Sequence, residues 1–317
     1  MDTQLTFTAL SSLFMQLSED GQYAEALALL ETNRVLFTRA DIYANWVSCT
    51  QAMLGQPQAA IRTLQEALAQ GTWWPAVILR DDPDFKSLQG LAEFEAVVAR
   101  CTHLFDEASQ QSHAQSLTLE PCGLAVGAAA PLLVALHGRG ESLQTRQALW
   151  SAATGLGWKT VLLGSSQVVG QDAYCWDNRG LAEKEVKQQF ELAFESKFRQ
   201  SVLAGFSQSG GLALRLVLSG QVAAGGVLAV VPASFSDDDF EHLRNSGQLD
   251  GKRAVILASK NDHPWIKTAN RLAALLEAKG VPHLYTVYEN LGHDFPPDFS
   301  QKLPEYLAFL AGSSETN

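Results

Sequence analysis

The hydrophobic positions of this 317-residue chain change period once. From residue 5 to about 105 they recur at helical spacing. Leu10, Leu13, Phe14 and Leu17 fall on one face, and Ala26, Leu27, Leu29 and Leu30 form a wider stripe. The pattern repeats: Gly21 and Gly55, Ala26 and Ala60, and Leu30 and Leu64 each stand 34 residues apart. Both copies read glycine, a short polar turn, then Glu-Ala-Leu or Ala-Ala-Ile. Tyr43, Trp46 and Ala52-Met53 fit the first helix of the second copy. A third, irregular unit spans Gly71 to Arg100, with Trp73, Trp74, Phe85, Leu88 and Phe94 on its buried face. Asp82-Pro83-Asp84 is a turn or helix-start signal. The polar stretch 108–114 reads as a linker, dividing a helical domain, 1–107, from a second domain, 115–317.

Beyond the linker, short apolar runs alternate with helical patterns. Strands are expected at 131–136, 159–163, 201–206, 226–231, 252–259 and 283–288, and helices at 182–198, 265–278 and 296–311. Alternation of this kind predicts an α/β fold: a mostly parallel sheet flanked by helices, preceded here by an all-helical domain. Sites in such sheets form outside the carboxyl ends of the strands.

The chemistry-bearing residues fall at those ends. Ser201 to Phe206 runs into Ser207, and Gln208-Ser209-Gly210-Gly211 leads into a helix-compatible run from Leu212. This is the sequence form of a nucleophile elbow, a strand-to-helix turn that exposes a serine hydroxyl. Ser209 stands where a second glycine is usual, and is itself a rival nucleophile. Asp262 follows one strand, Gly292-His293 follows another, and His137-Gly138-Arg139-Gly140 follows a third. His242, His263 and His283 are rival bases: His242 lies in a polar helix, His263 adjoins Asp262, and His283 starts a strand.

These pieces, in this order, resemble the α/β-hydrolase serine esterases of the phospholipase/carboxylesterase, dienelactone-hydrolase-like group, over residues 115 to 313. The resemblance implies Ser207 as nucleophile, His293 as general base and Asp262 as orienting acid. It implies an oxyanion hole of the Arg139 and Gln208 backbone N–H groups, with His137 supporting the loop. A serine hydroxyl needs an adjacent base, histidine titrates near neutrality, and a buried carboxylate fixes its tautomer. Arg139 has a second reading, an anion-binding guanidinium. Tyr174, Trp176 and Trp265 are pocket residues in this scheme; the loop residues Tyr174 and Trp176 read equally as packing anchors. The 34-residue period of the first domain resembles tetratricopeptide repeats.

Composition narrows the partners. A net charge of −11 argues against nucleic acid and anionic membrane. Cys49, Cys101, Cys122 and Cys175 lack metal-type spacing and read as reduced thiols. The longest stretch without charge, Leu216 to Ser236, is interrupted by glycine, serine and proline, so no membrane span is expected. Met1-Asp2-Thr3-Gln4 lacks the basic start of a signal peptide. The expectation is a cytoplasmic serine hydrolase of carboxylic esters or thioesters, with no metal or cofactor. Its partners are a small-molecule substrate and, through the helical domain, a protein partner or a second copy. Peptidase and C–C hydrolase chemistry stay open. The alternative is a degenerate hydrolase serving as a repeat-type interaction scaffold.

Overall fold

The computed structural model describes residues 6–123, 129–194, 200–245, 249–263 and 265–312. The chain divides into two compact units, 1–111 with 168–171, and 112–167 with 172–317.

The first unit is built from α1 (Phe7–Glu19), α2 (Tyr23–Thr32), α3 (Ala40–Met53), α4 (Pro57–Ala69), α5 (Ala76–Asp81) and α6 (Ala92–Gln111). The 34-residue offset is a repeat of structure as well as of sequence. Gln22 N–H bonds to Leu17 O and Gln56 N–H to Gln51 O, closing the same turn at equivalent positions. Gly21 and Gly55 both sit at φ +71°, the left-handed helix-ending conformation that glycine adopts freely. Ala26, Ala60, Leu30 and Leu64 are all fully buried. A third such turn follows α4, where Thr72 N–H bonds to Ala67 O. The irregular third unit is a short α5, a tight turn at 83–85 capped by the Asp82 carboxylate, and α6. The polar residues 108–111 continue α6, since nothing in Ala108-Ser109-Gln110-Gln111 breaks a helix. Only residues 112–114 of the expected linker lack regular structure.

The second unit contains β1 (Gln115–Leu119), β2 (Leu132–Leu136), α7 (Gln147–Ser151), β3 (Lys159–Gly164), α8 (Arg179–Ala193) and β6 (Ser201–Phe206). It continues through α9 (Gln208–Leu218), β7 (Gly226–Val230), α10 (Asp237–Asn245), β8 (Arg253–Ser259), α11 (Trp265–Ala278), β9 (His283–Tyr288) and α12 (Phe299–Leu310). Two short strands, β4 (Gln167–Gly170) and β5 (Ala173–Cys175), lie outside the main sheet. The sheet order is β1-β3-β2-β6-β7-β8-β9. Strand β1 is antiparallel to β3 and every other pairing is parallel. Helix α8 begins three residues before the expected start because the Asn178 side chain accepts from Leu181 N–H. The expected extension to 198 falls mostly outside the described residues. Helix α12 starts after Pro296-Pro297 and not at Pro296, and carries Pro304 within it.

Both faces of the sheet are covered. Val134, Leu203, Ala229 and Ile256 pack toward Val186, Phe190, Leu212 and Leu272 of α8, α9 and α11. Leu133, Ala204, Leu228 and Leu257 pack toward Trp150, Phe299, Leu303 and Leu307 of α7 and α12. Strands buried on both faces must be apolar throughout, so these runs stand out in the sequence. After β2 the chain winds to one side, and after β6 to the other. The gap between β2 and β6 is therefore the switch point of the sheet, where α/β folds place ligands.

Candidate active site

Strand β6 delivers Ser207 to that switch point. Ser207 adopts φ 56° and ψ −122°, a conformation that costs on the order of 1–3 kcal/mol and needs surrounding support. Its N–H donates to Val230 O at 2.9 Å, and its carbonyl accepts from Gly210, Gly211 and Ala233 N–H at 3.0, 3.3 and 2.9 Å. Two glycines make the turn possible. A Cβ on Gly205 would lie 2.3 Å from Ser209 O, and one on Gly211 would lie 2.0 Å from Ala233 O. Ser209 is fully buried, and its hydroxyl is occupied: Oγ accepts from Phe206 N–H at 3.0 Å and faces Leu136 O and Phe206 O at 3.1 and 3.0 Å. That hydroxyl pins the elbow to β2.

The loops after β8 and β9 bring the other two residues in. His293 Nε2 lies 2.7 Å from Ser207 Oγ, and Nδ1 lies 2.8 Å from Asp262 Oδ2. With Asp262 ionised, Nδ1 carries the proton and Nε2 faces the hydroxyl as an acceptor. Asp262 is buried, and its carbonyl accepts from Ile266 N–H, anchoring it to the start of α11. The Ser259 hydroxyl bonds to Leu291 O and ties the end of β8 to the histidine loop. His242 and His263 are exposed, and the His283 ring bonds to Val281 O.

The loop after β2 faces the elbow. Among the described residues, neither the Arg139 nor the Gln208 N–H has a protein acceptor. His137 is buried; Nδ1 lies 2.7 Å from Gly138 O and Nε2 accepts from Ser165 N–H at 3.1 Å. Burial pushes the His137 pKa down to about 4, so the ring is neutral, with its proton on Nδ1. Holding the Gly138 carbonyl turns the N–H of the same peptide, that of Arg139, the opposite way. The Arg139 guanidinium forms a two-pronged pair with Asp177 at 3.1 and 3.0 Å. Asp177 also accepts from Gln208 Nε2 at 2.7 Å. Burial opposes the Asp177 charge, but the bonds from Arg139 and Gln208 outweigh it and hold the carboxyl below its usual range.

Of the three expected pocket residues, Trp176 is an anchor of the loop after β2: its indole N–H donates to His137 O at 2.9 Å and its ring stacks on His137 at 4.9 Å. It also lines a cavity of about 320 Å³ with Gln208, Leu212, Arg215 and Asp239. The Tyr174 backbone clamps residues 140 and 141, and its side chain borders a separate cavity of about 450 Å³. Trp265 opens α11 half-buried and lines neither cavity. Burial pushes the Cys175 thiol up to about 11, leaving it protonated at neutral pH. Among the described residues one group has its ligand atoms close enough for a metal: Cys49, Asp82 and Asp84, within 4.8 Å. Its thiol is protonated, since burial raises it far above the usual range, and it bonds to Asp82.

Sequence reasoning missed the contacts of Glu141, Arg146, Asp177 and Asp294. Asp294 Oδ1 pairs with Arg146 Nη1 at 3.0 Å. The available signal was positional: a carboxylate directly after His-Gly-Arg-Gly, with an arginine five residues on.

Comparison with known proteins agrees with this architecture. Residues 6–109 match the family described as A/B hydrolase-like, N-terminal domain. None of the curated proteins matches the chain. An uncharacterized protein from Bacillus cereus ATCC 10987 superposes with a TM-score of 0.56 at 20% identity, covering 98% of this chain and 100% of that one. Esterase PE8 gives 0.53 at 18% identity over 62% of this chain and 99% of its own. Zea mays acyl-protein thioesterase 2 gives 0.50 at 15% identity, over 63% and 100% respectively. The chain has the α/β-hydrolase fold preceded by a helical region. Among the described residues no helix is long and apolar enough to cross a membrane.

Proposed function

We propose that this protein is a serine hydrolase of carboxylic esters or thioesters, of the carboxylesterase and phospholipase-like type. The observation that carries the reading is the continuous chain Ser207 Oγ, His293, Asp262 at 2.7 and 2.8 Å. In this reading Ser207 Oγ attacks the acyl carbon while His293 Nε2 takes its proton. Asp262 holds the tautomer and stabilises the imidazolium. The oxyanion is held by the Arg139 and Gln208 N–H groups, each such donor being worth about 10²–10³ in turnover. His293 returns the proton to the departing alcohol or thiol, leaving an acyl-Ser207 ester. Water, deprotonated by His293, then attacks that ester and releases the acid and the serine. The esterase and thioesterase among the structural neighbours favour this bond class over peptide or C–C bonds.

The same reading covers the rest of the chain. Residues 1–107 act as a tetratricopeptide-like module, 108–114 as its connection and 115–317 as the hydrolase domain. The substrate is a small molecule, Tyr174, Trp176 and Trp265 lie near it, and the enzyme works in the cytoplasm. The helical module binds a protein partner or a second copy. The scaffold alternative calls for Ser207 and His293 held apart, and no observation favours it.

The test is labelling with a fluorophosphonate probe, mapped by mass spectrometry, with heat-denatured protein as control. Labelling of folded protein at Ser207, and loss of esterase activity in Ser207→Ala, are expected. Removing a triad member leaves only about 10³–10⁴-fold catalysis over water. Full activity in Ser207→Ala refutes the proposal.

A further inference from the structure

We infer that Arg146 is a positioning residue that holds the three site-bearing loops in mutual register; the inference rests on the serine-hydrolase reading above. Arg146 directly precedes α7, whose Trp150 is buried edge-on against Phe295 and Phe299. From that fixed base its guanidinium reaches all three loops. Nε donates to Glu141 Oε1 at 2.8 Å, and Glu141 Oε2 accepts from Gly138 N–H at 2.9 Å. Two bonds therefore connect Arg146 to the backbone beside the Arg139 peptide. Nη1 pairs with Asp294 Oδ1 at 3.0 Å, one residue after His293. The guanidinium face lies over Phe206 at 5.0 Å and Phe295 at 5.3 Å. Phe206 directly precedes Ser207, stacks on Phe295 at 4.9 Å and meets the His293 ring at 5.4 Å.

These contacts differ from those of a surface ion pair, which is worth about 0–1 kcal/mol. The Glu141 side chain is only 11% exposed, and both its oxygens are used. The geometry needs a planar cation that donates in two directions while stacking on rings, which lysine cannot supply. Arg146 adds to the links that the Ser207–His293 contact, the phenylalanine rings and the Ser209 bond to Leu136 O already make among the end of β2, the elbow and the histidine loop. Gly138 adds a steric limit, because a Cβ there would lie 2.7 Å from the Phe206 ring. The loop thus packs closely on the Phe206 ring at Gly138, whose N–H is held by Glu141. A shift of about 1 Å between nucleophile and oxyanion donors can cost on the order of 10²-fold in rate.

The test is steady-state hydrolysis of p-nitrophenyl acetate by the full chain, with melting temperatures of each variant. Arg146→Ala should lower kcat about 10–100-fold with KM changed less than about threefold. Tens of millimolar guanidinium should restore part of kcat, and tetramethylammonium should not. Asp294→Asn, at a side chain 60% exposed, should lower kcat severalfold without unfolding the protein. The double variant should be no slower than Arg146→Ala alone, the mark of one shared interaction. A folded Arg146→Ala with kcat within about twofold of the parent overturns the inference. So does a loss that tracks the folded fraction and ignores guanidinium. If Arg146→Ala fails to fold, Arg146→Lys and Asp294→Asn decide, and parental kcat in both overturns it. Ser207→Ala in the same assay separates the two claims: its retained activity would sink the serine-hydrolase reading itself.

Discussion

Replacing Ser209 by alanine removes a hydroxyl that the elbow uses twice. Its Oγ accepts from Phe206 N–H at 3.0 Å and donates its single proton to Leu136 O or Phe206 O, at 3.1 and 3.0 Å. The site is fully buried, so no water replaces the lost oxygen. Two net hydrogen bonds at about 0.5–1.5 kcal/mol each give a loss of about 1–3 kcal/mol. For a unit of roughly 200 residues, each kcal/mol shifts Tm by about 2–4 °C, so a fall of about 2–12 °C is expected. The assay is calorimetry of the full chain together with p-nitrophenyl acetate hydrolysis. Activity should fall no more than about tenfold, 1.4 kcal/mol of barrier, because Ser207 and His293 keep their own contacts. Fluorophosphonate should still label Ser207. An unchanged Tm would refute the pinning role of Ser209. A folded variant that no longer labels at Ser207 would refute the assignment of Ser207 over Ser209.

Two further predictions concern the same neighbourhood. Gly211→Ala places a Cβ 2.0 Å from Ala233 O, a backbone atom of the residue whose N–H bonds to Ser207 O. It should cost about 3 kcal/mol or more and lower kcat with it, read as a depressed Tm and poor soluble yield; a parental Tm would contradict the packing. His137, held at about 4 by burial, binds fewer protons folded than unfolded between that value and about 6.5. Stability should therefore be full above pH 6.5 and fall by about 3 kcal/mol as pH drops toward 4, measured by urea unfolding across that range. His137→Gln should flatten this segment of the profile, and an identical slope in both proteins would remove His137 as its source.

The parallel strands were legible because both their faces are buried, which forces runs such as Leu132-Leu133-Val134-Ala135-Leu136. The elbow was legible because its backbone needs Gly205 and Gly211 at fixed offsets from Ser207. Edge strand β1 was not, because Gln115-Ser116-Leu117-Thr118-Leu119 is mostly solvated and carries no apolar run. The arginine contacts were not legible either. Arg139 meets Asp177 across 38 residues, and Arg146 meets Asp294 across a longer interval still. Such pairs depend on which loops the sheet order brings together, and charge patterning along the chain holds no record of that. Trp176 shows the same limit: its place in a loop after a strand suited pocket and anchor equally, and its bond to His137 O joins residues 39 apart in the chain.

The order of strands also sets a timetable during synthesis. The helical unit is built from neighbours in sequence and can close while the rest is still being made. Strand β2 can pair early with β3, but its other flank waits for β6, about 70 residues later, or roughly 4–14 s at ribosomal rates of about 5–20 residues per second. Through that interval an uncharged, wholly apolar strand presents an open edge, the pattern most prone to pair with another nascent chain. The same gap between β2 and β6 that seats Ser207 is thus the seam of the sheet that waits longest for its second strand, and conditions that slow elongation lengthen the exposure of that seam on the ribosome.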